Sequence, residues 1–350
     1  MSQTNKNQTA YLIKEREIVL KDSDMPKLLD DECIIKVETV TICGSDTSFF
    51  IDPTYGGTID PPVLPIVLGH ECSGTIVEVG KDVTHLKTGD KVAIEPGVGC
   101  GTCEYCLSGR YNLCRKMDFM AAYPFNRGAL SKYISHPAKA LFKIPDDMST
   151  IEGALMEPLS VGLHAVQRAQ VEFGDTAIVI GCGCIGLMTI ISLKANGVNN
   201  IIATDFSDAR LKLAKKLGAT KTFNGKTENY TEIINETGAH ADLVFETAGS
   251  AIATAQTVDI VKPGGKIITV GNIHGETPFR FLKTNDNEVN IISVFRYVNS
   301  YPTAIAAVEN KIIENLEDMI TDTFTFEKTQ QAFELAAEAK EETIKIAIQF

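Results

Sequence analysis

Up to about residue 155 the apolar positions come in short runs, EIVLKD, CIIKVETVTI, IVLGHECSGTIVEVG and GDKVAIEP, punctuated by Gly, Pro and Asp. Short apolar runs ended by turn formers predict strands, so this half reads as an irregular β-rich domain. The pattern then changes. TAIVIG, NIIATD, DLVFETA, KIITVGN and VNIISVF keep strand character, while CIGLMTIISLKANG, SDARLKLAKKLGA and AIATAQTVDIVKPGG between them carry helical spacing. Such alternation predicts βαβ units and a parallel sheet with helices on both faces, a doubly wound α/β fold. Beyond Phe295 come a helix (TAIAAVENKII), a short strand (MITDTFTF), a second helix (KTQQAFELAAEAK) and a closing strand (TIKIAIQF). Periodicity alone does not assign that tail to either domain.

Composition narrows the function classes. The chain has 350 residues, enough for two ordinary domains, and its 44% hydrophobic and 22% charged residues describe a soluble globular mixture. A net charge of -12 disfavours a phosphate backbone as partner, so nucleic acid is not expected. The N-terminal MSQTNKNQTA lacks an apolar core, and no long apolar run follows, so neither export nor membrane insertion is expected and the cytoplasm is the expected compartment. Cysteines stay reduced there, which turns attention from disulfides to metal.

GCGCIG, with Gly181, Gly183, Ile185 and Gly186, fits G-x-G-x-x-G directly after the apolar run Ala177-Ile178-Val179-Ile180 and opens a helical stretch. Glycines there permit a tight turn and close approach of the backbone to a pyrophosphate at the helix N-terminus. Asp205 ends the next strand, 19 residues beyond Gly186, where a carboxylate can accept ribose hydroxyls. An acid there repels a 2′-phosphate, so NAD is expected over NADP; Arg210 is placed as a lid on the adenine side. The ordinary alternative is a glycine turn that merely closes a strand-helix junction.

Cys100, Cys103, Cys106 and Cys114 form C-x2-C-x2-C-x7-C. Four thiolates at short spacing can surround one ion tetrahedrally and leave no vacancy for water or substrate, so a structural zinc is expected. Iron-sulfur ligation is the alternative, and no redox partner motif accompanies it. A second metal site would need ligands from separate segments: Cys43, the pair His70 and Glu71, and Glu157 in MEPLSVGLHA are the candidates. Each has an ordinary role in isolation: Cys43 a core thiol, His70 a bonded turn residue, Glu157 an acid favoured near a helix N-terminus.

The order Cys43-Gly44-Ser45-Asp46, Gly69-His70-Glu71, the four-cysteine lobe, Glu157-Pro158-Leu159-Ser160-Val161-Gly162 and then G-x-G-x-x-G resembles the zinc-containing medium-chain alcohol dehydrogenases. Within them it resembles the polyol, or sorbitol-type, branch, most specifically at FRYVNSYP, residues 295–302. The resemblance covers essentially the whole chain. It implies a GroES-like catalytic domain over 1–157 with a structural-zinc lobe at about 97–115, a Rossmann NAD-binding domain over 158–295, and a returning segment 296–350 that completes the catalytic domain. It also implies a catalytic zinc at Cys43, His70 and one or both of Glu71 and Glu157, with Asp46 orienting the ligand histidine. Ser45 would contact the reacting alcohol and pass on its proton, Phe119 would form an apolar wall, and Arg296 and Tyr297 would contact the polyol. Such enzymes are homo-oligomers, dimers or tetramers, and VNIISVF is a candidate pairing edge.

The expected activity is transfer of hydride from a secondary alcohol of a sorbitol- or xylitol-like polyol to NAD, giving a ketose. Butanediol-, threonine- and sugar-alcohol-phosphate-type dehydrogenases share the motifs, and a binding or structural protein on the same fold is the alternative outside enzymes. Two positions depart from the polyol pattern Cys-Gly-Ser-Asp-x-His-Tyr: Ser48 stands for the relay histidine and Phe49 for the tyrosine. Proton release is therefore expected through water beside Ser48 and Glu157.

Overall fold

The computed structural model describes residues 6–273 and 275–350. Residues 1–5, where the reading for an export signal begins, lie outside the described residues. The chain packs as two compact units. The first holds the residues up to Glu157 with Tyr301–Ile305 and Ile320–Phe350, the second Pro158–Ser300 with Ala306–Met319.

In the first unit a seven-stranded sheet runs in the order Ile320–Thr325, Lys345–Gln349, Glu32–Thr41, Glu71–Val79, Lys91–Ile94, Leu141–Lys143, and Tyr133–Pro137 also pairs with Glu32–Thr41. Most neighbours are antiparallel, but the Ile320–Thr325 and Lys345–Gln349 strands are parallel. Their burial explains the pairing: Ile35, Ile76 and Ile94 are fully buried and share one core with Phe50, Leu68, Phe326 and Phe333. The closing strand thus supplies core residues to a sheet begun some 300 positions earlier, pairing Ile348 with Val40 and Ala347 with Thr41.

His136, on the strand Tyr133–Pro137, is fully buried and donates from Nε2 to the Glu95 carbonyl at 2.8 Å. Burial pushes its pKa down from 6.5 to about 4, helped by Arg127 and opposed by the Glu95 carbonyl and Asp118. The unfolded chain therefore takes up this proton first, and stability is lost as pH falls through the window from 6.5 to about 4. Between about pH 7 and about pH 4.5 the loss from this residue comes to about 2.5 kcal/mol. Urea unfolding at those two pH values should show His136→Asn losing less stability than the parent by about that amount; equal losses would remove the argument.

The second unit is a six-stranded, all-parallel sheet in the order Lys221–Asn224, Asn200–Asp205, Thr176–Ile180, Ala241–Glu246, Val261–Thr269, Asn290–Ser293. The strand order reverses beside Thr176–Ile180, a topological switch point of the kind where doubly wound sheets bind nucleotides. The expected α/β class is the one observed: one unit holds a doubly wound parallel sheet and the other is β-rich. Ile178, Val244 and Ile267 are fully buried at its centre, as strands covered on both faces require.

The tail divides between the units instead of returning as the single piece 296–350. Tyr301 is anchored in the first unit, its hydroxyl donating to the Ile94 carbonyl at 2.9 Å and its ring stacked on Phe142. Asp318, seventeen residues on, pairs with Lys216 at 2.6 Å in the second.

Candidate active site

Cys43 caps the N-terminus of the helix Gly44–Ile51 in an extended conformation. Asp46, three residues on and fully buried, accepts the Cys43 amide at 3.2 Å and the Gly69 amide at 3.0 Å. Its Oδ1 also lies 3.4 Å from His70 Nδ1. One carboxylate thus ties a helix start to the turn before the Glu71–Val79 strand, and so fixes Cys43 against His70. Burial would raise the Asp46 pKa, but His70 and the two amides outweigh it and hold it below the ordinary carboxylate value. Burial likewise opposes charge on His70, and Asp46 with Cys43 overcomes it, so the pocket favours positive charge. A buried carboxylate beside a buried imidazole and a thiol is a setting that suits a cation.

Ligand atoms of Cys43, His70 and Glu71 lie within 4.8 Å of one another. Among the described residues that set and the four-cysteine set meet this spacing, and Glu157 belongs to neither. Glu157 is buried on the helix Thr150–Ala169, whose start is fixed by reciprocal bonds between Ser149 and Glu152, each 3.0 Å. Its charge is felt at Cys72 and Glu95, which places it beside the Glu71 strand. Phe119 lies 5.6 Å from the His70 ring, centroid to centroid. Ser45 is half-buried on the first turn after Cys43.

The departing positions have local employment. Ser48 donates its hydroxyl to the Gly44 carbonyl at 3.0 Å on the exposed side of the helix. Phe49 is buried, stacked on Tyr55 and edge-on to Phe125, both at 4.9 Å. A ring packed that way leaves no call for a hydroxyl.

Sequence reasoning missed two partners of Glu71. Lys345 Nζ lies 2.8 Å from Oε1 and 2.7 Å from Oε2, and Thr41 donates its hydroxyl to Oε2. A lysine inside the apolar run TIKIAIQF was the available signal.

The four-cysteine lobe is free of disulfides, with Cys100 and Cys106 sulfurs 3.9 Å apart. The Cys100 amide donates to Cys114 Sγ at 3.4 Å, and bonds led by the Thr102 amide bring the Cys100 thiol down to about 5. Burial pushes Cys106 up to about 12. A Cβ on Gly99 would stand 2.9 Å from Cys106 Sγ and 3.1 Å from Tyr111 Cβ, so a larger residue there would push on the lobe's thiols.

In the second unit the three glycines of the turn behave differently. Gly181 has φ +93, and a Cβ on Gly186 would lie 1.9 Å from the Gly181 carbonyl, so these two serve the turn and the helix packing. A Cβ on Gly183, which caps the helix Cys184–Ala195, would meet nothing within 4 Å. That is the open approach a pyrophosphate requires. Ile185 is half-buried beside it. Asp205 accepts the Cys182 amide at 2.7 Å and the Ser207 amide at 2.9 Å, one on each oxygen, and each oxygen keeps a lone pair for a ribose hydroxyl. Arg210 is half-buried on the following helix, its amide bonded to Ser207 Oγ at 3.3 Å. Arg296 has φ +53 and its guanidinium lies 4.8 Å over the Phe295 ring; Tyr297 is buried beside it in sequence. Both belong to the second unit, whereas Cys43, His70, Glu71 and Phe119 belong to the first.

Two family models match, the alcohol dehydrogenase GroES-like domain over residues 29–146 and the zinc-binding dehydrogenase domain over 184–310. The zinc-type alcohol dehydrogenase-like protein YdjJ of Escherichia coli is 44% identical over 97% of this chain and 98% of its own length. Sorbitol dehydrogenase of Bacillus subtilis is 39% identical over 97% of this chain and 96% of its own. The crystal structure of an Escherichia coli oxidoreductase of unknown specificity superposes with a TM-score of 0.92 at 43% identity, covering 98% of this chain and 99% of that one. With both domains matched and near full-length identity to such relatives, the chain belongs to the zinc-containing medium-chain alcohol dehydrogenases, in their polyol branch.

Proposed function

We propose that the protein oxidises a secondary alcohol of an unphosphorylated, sorbitol- or xylitol-like polyol to a ketose with NAD, using one catalytic and one structural zinc. The observation that carries this is the convergence of Cys43, His70 and Glu71 behind a buried Asp46. The soft thiolate, imidazole and carboxylate suit zinc, and Asp46 faces Nδ1, which leaves Nε2 of His70 to ligate. Cys43, His70 and Glu71 would hold a zinc ion, which would supply Lewis acidity to the alcohol, and the Gly183 turn with Asp205 would hold NAD, which would supply the hydride acceptor. The sum is alcohol plus NAD giving ketose, NADH and a proton.

The protein's own groups bind and orient. Ser45, two residues after Cys43, accepts a hydrogen bond from the substrate hydroxyl and hands its own proton on as it takes that one, and Glu157 serves it or the metal from the neighbouring helix. Phe119 walls the pocket and keeps water from the reacting carbon. Arg296 and Tyr297 contact the adjoining hydroxyls of the polyol, while Arg210 covers the adenine side. Ser48 already donates to its own helix, so water beside Glu157 is the better proton exit. Pairing of the exposed edge strand Asn290–Ser293 between copies would make the dimer or tetramer, and nine free cysteines suit a cytoplasmic enzyme.

Sorbitol, xylitol, galactitol, galactitol 1-phosphate, 2,3-butanediol and threonine, each with NAD and NADP, form the deciding panel. A polyol with NAD is expected to lead in kcat/KM by about tenfold or more, since a site built to bond several hydroxyls rejects analogues lacking them. A lead for butanediol, threonine or the phosphate ester would overturn the substrate class.

A further inference from the structure

The closing strand Lys345–Gln349 lies beside Glu32–Thr41, which lies beside Glu71–Val79. Thr41 stands opposite both Ala347 and Glu71, and the Ile42 amide donates to the Ile346 carbonyl at 3.0 Å. Three strands therefore bring Lys345, Thr41 and Glu71 into one row under the candidate metal. Lys345 is 4% exposed and Glu71 1%.

The bonding is nearly saturated. The three N–H donors of Lys345 meet Glu71 Oε1, Glu71 Oε2 and the Ile42 carbonyl at 2.8, 2.7 and 3.0 Å. A carboxylate has about four lone-pair sites. Thr41 and Lys345 occupy both on Oε2 and one on Oε1, so Glu71 can offer a metal one lone pair on one oxygen. Its charge is already matched by the ammonium. Removing a partner from such a buried pair leaves the other charge uncompensated, whereas removing both does not.

We infer that Lys345 is a positioning residue of the catalytic metal site: it clamps Glu71, limits it to one oxygen and cancels its charge. The negative ligand charge offered to a metal would then come from Cys43 bound as a thiolate. The inference rests on the metal-site reading above and adds a residue from the far end of the chain to it.

Metal affinity of the full-length protein separates the possibilities. Zinc is titrated against a competing chelator, following the ion that Cys43→Ala lacks, and cobalt is then substituted there to record its visible absorption bands. Lys345→Met frees an anion beside the metal and is expected to tighten binding by at least about tenfold with altered cobalt bands. Glu71→Gln leaves a cation there and is expected to weaken binding by a similar factor. The double variant Lys345→Met with Glu71→Gln leaves neither charge of the pair unpaired, so it should fold and return to within about threefold of the parent affinity.

A folded double variant as weak as Glu71→Gln would show Glu71 to be a principal ligand independent of Lys345. Unchanged affinity and bands in Lys345→Met, or a double variant that does not fold, would make the pair a structural strap. Either result overturns the inference. If Cys43→Ala instead retains all its metal, the metal-site reading itself has failed.

Discussion

Replacing Cys43 with alanine is expected to abolish NADH production and to remove the catalytic metal while the four-cysteine metal stays bound. Cys43 supplies the thiolate, and His70 and Glu71 cannot hold an ion alone when Glu71 has one lone pair to give. Losing Lewis acidity worth several kcal/mol corresponds to a fall of about a thousandfold or more in kcat/KM. The fold should survive, because Cys43 is half-buried and its backbone amide keeps its bond to Asp46 in the alanine variant. Metal analysis and the NADH assay on the same preparation decide the matter. Retention of both metal and activity would sink the active-site assignment.

Cys103→Ser is expected to act in the opposite way, on stability instead of chemistry. Between residues 99 and 116 only Asn112 and Cys114 are buried, so the lobe has no apolar core to keep its shape once the ion is gone. Structural zinc in small domains is worth on the order of 10 kcal/mol of folding free energy, and even a fraction of that lowers Tm by about 10 °C. The lobe also reaches back: the Tyr111 hydroxyl donates to Glu95 at 2.7 Å, beside the charge of Glu157. The molecules that stay folded should keep kcat within about threefold, since a metal closed by four sulfurs performs no step. A stable but inactive variant would contradict the structural role.

The departures from the polyol pattern show what a motif comparison conveys. Ser48 and Phe49 register in the sequence as missing groups, a lost relay and a lost hydroxyl. In the folded chain each has a partner: Ser48 bonds its own helix, and Phe49 fills a space between Tyr55 and Phe125. A motif records which chemistry is absent, and packing records what took its place.

What the sequence determined by itself is local. The spacing Cys100 to Cys114 lets four thiols meet around one ion with few residues between them. The glycine turn and Asp205 lie in one βαβ unit, where strand, turn and helix follow from nearby residues. Alternation of strand and helix also set the class of the second unit. Only the tertiary structure decided the rest. The grouping of Cys43, His70 and Glu71 depends on Asp46 bonding two segments at once. The division of the tail depends on Tyr301 and Asp318 finding partners in different units. The placement of Lys345 depends on a strand pairing across more than 270 positions, and a buried ammonium is stable only where a carboxylate already waits. The energy of such contacts arises between residues that no short window contains.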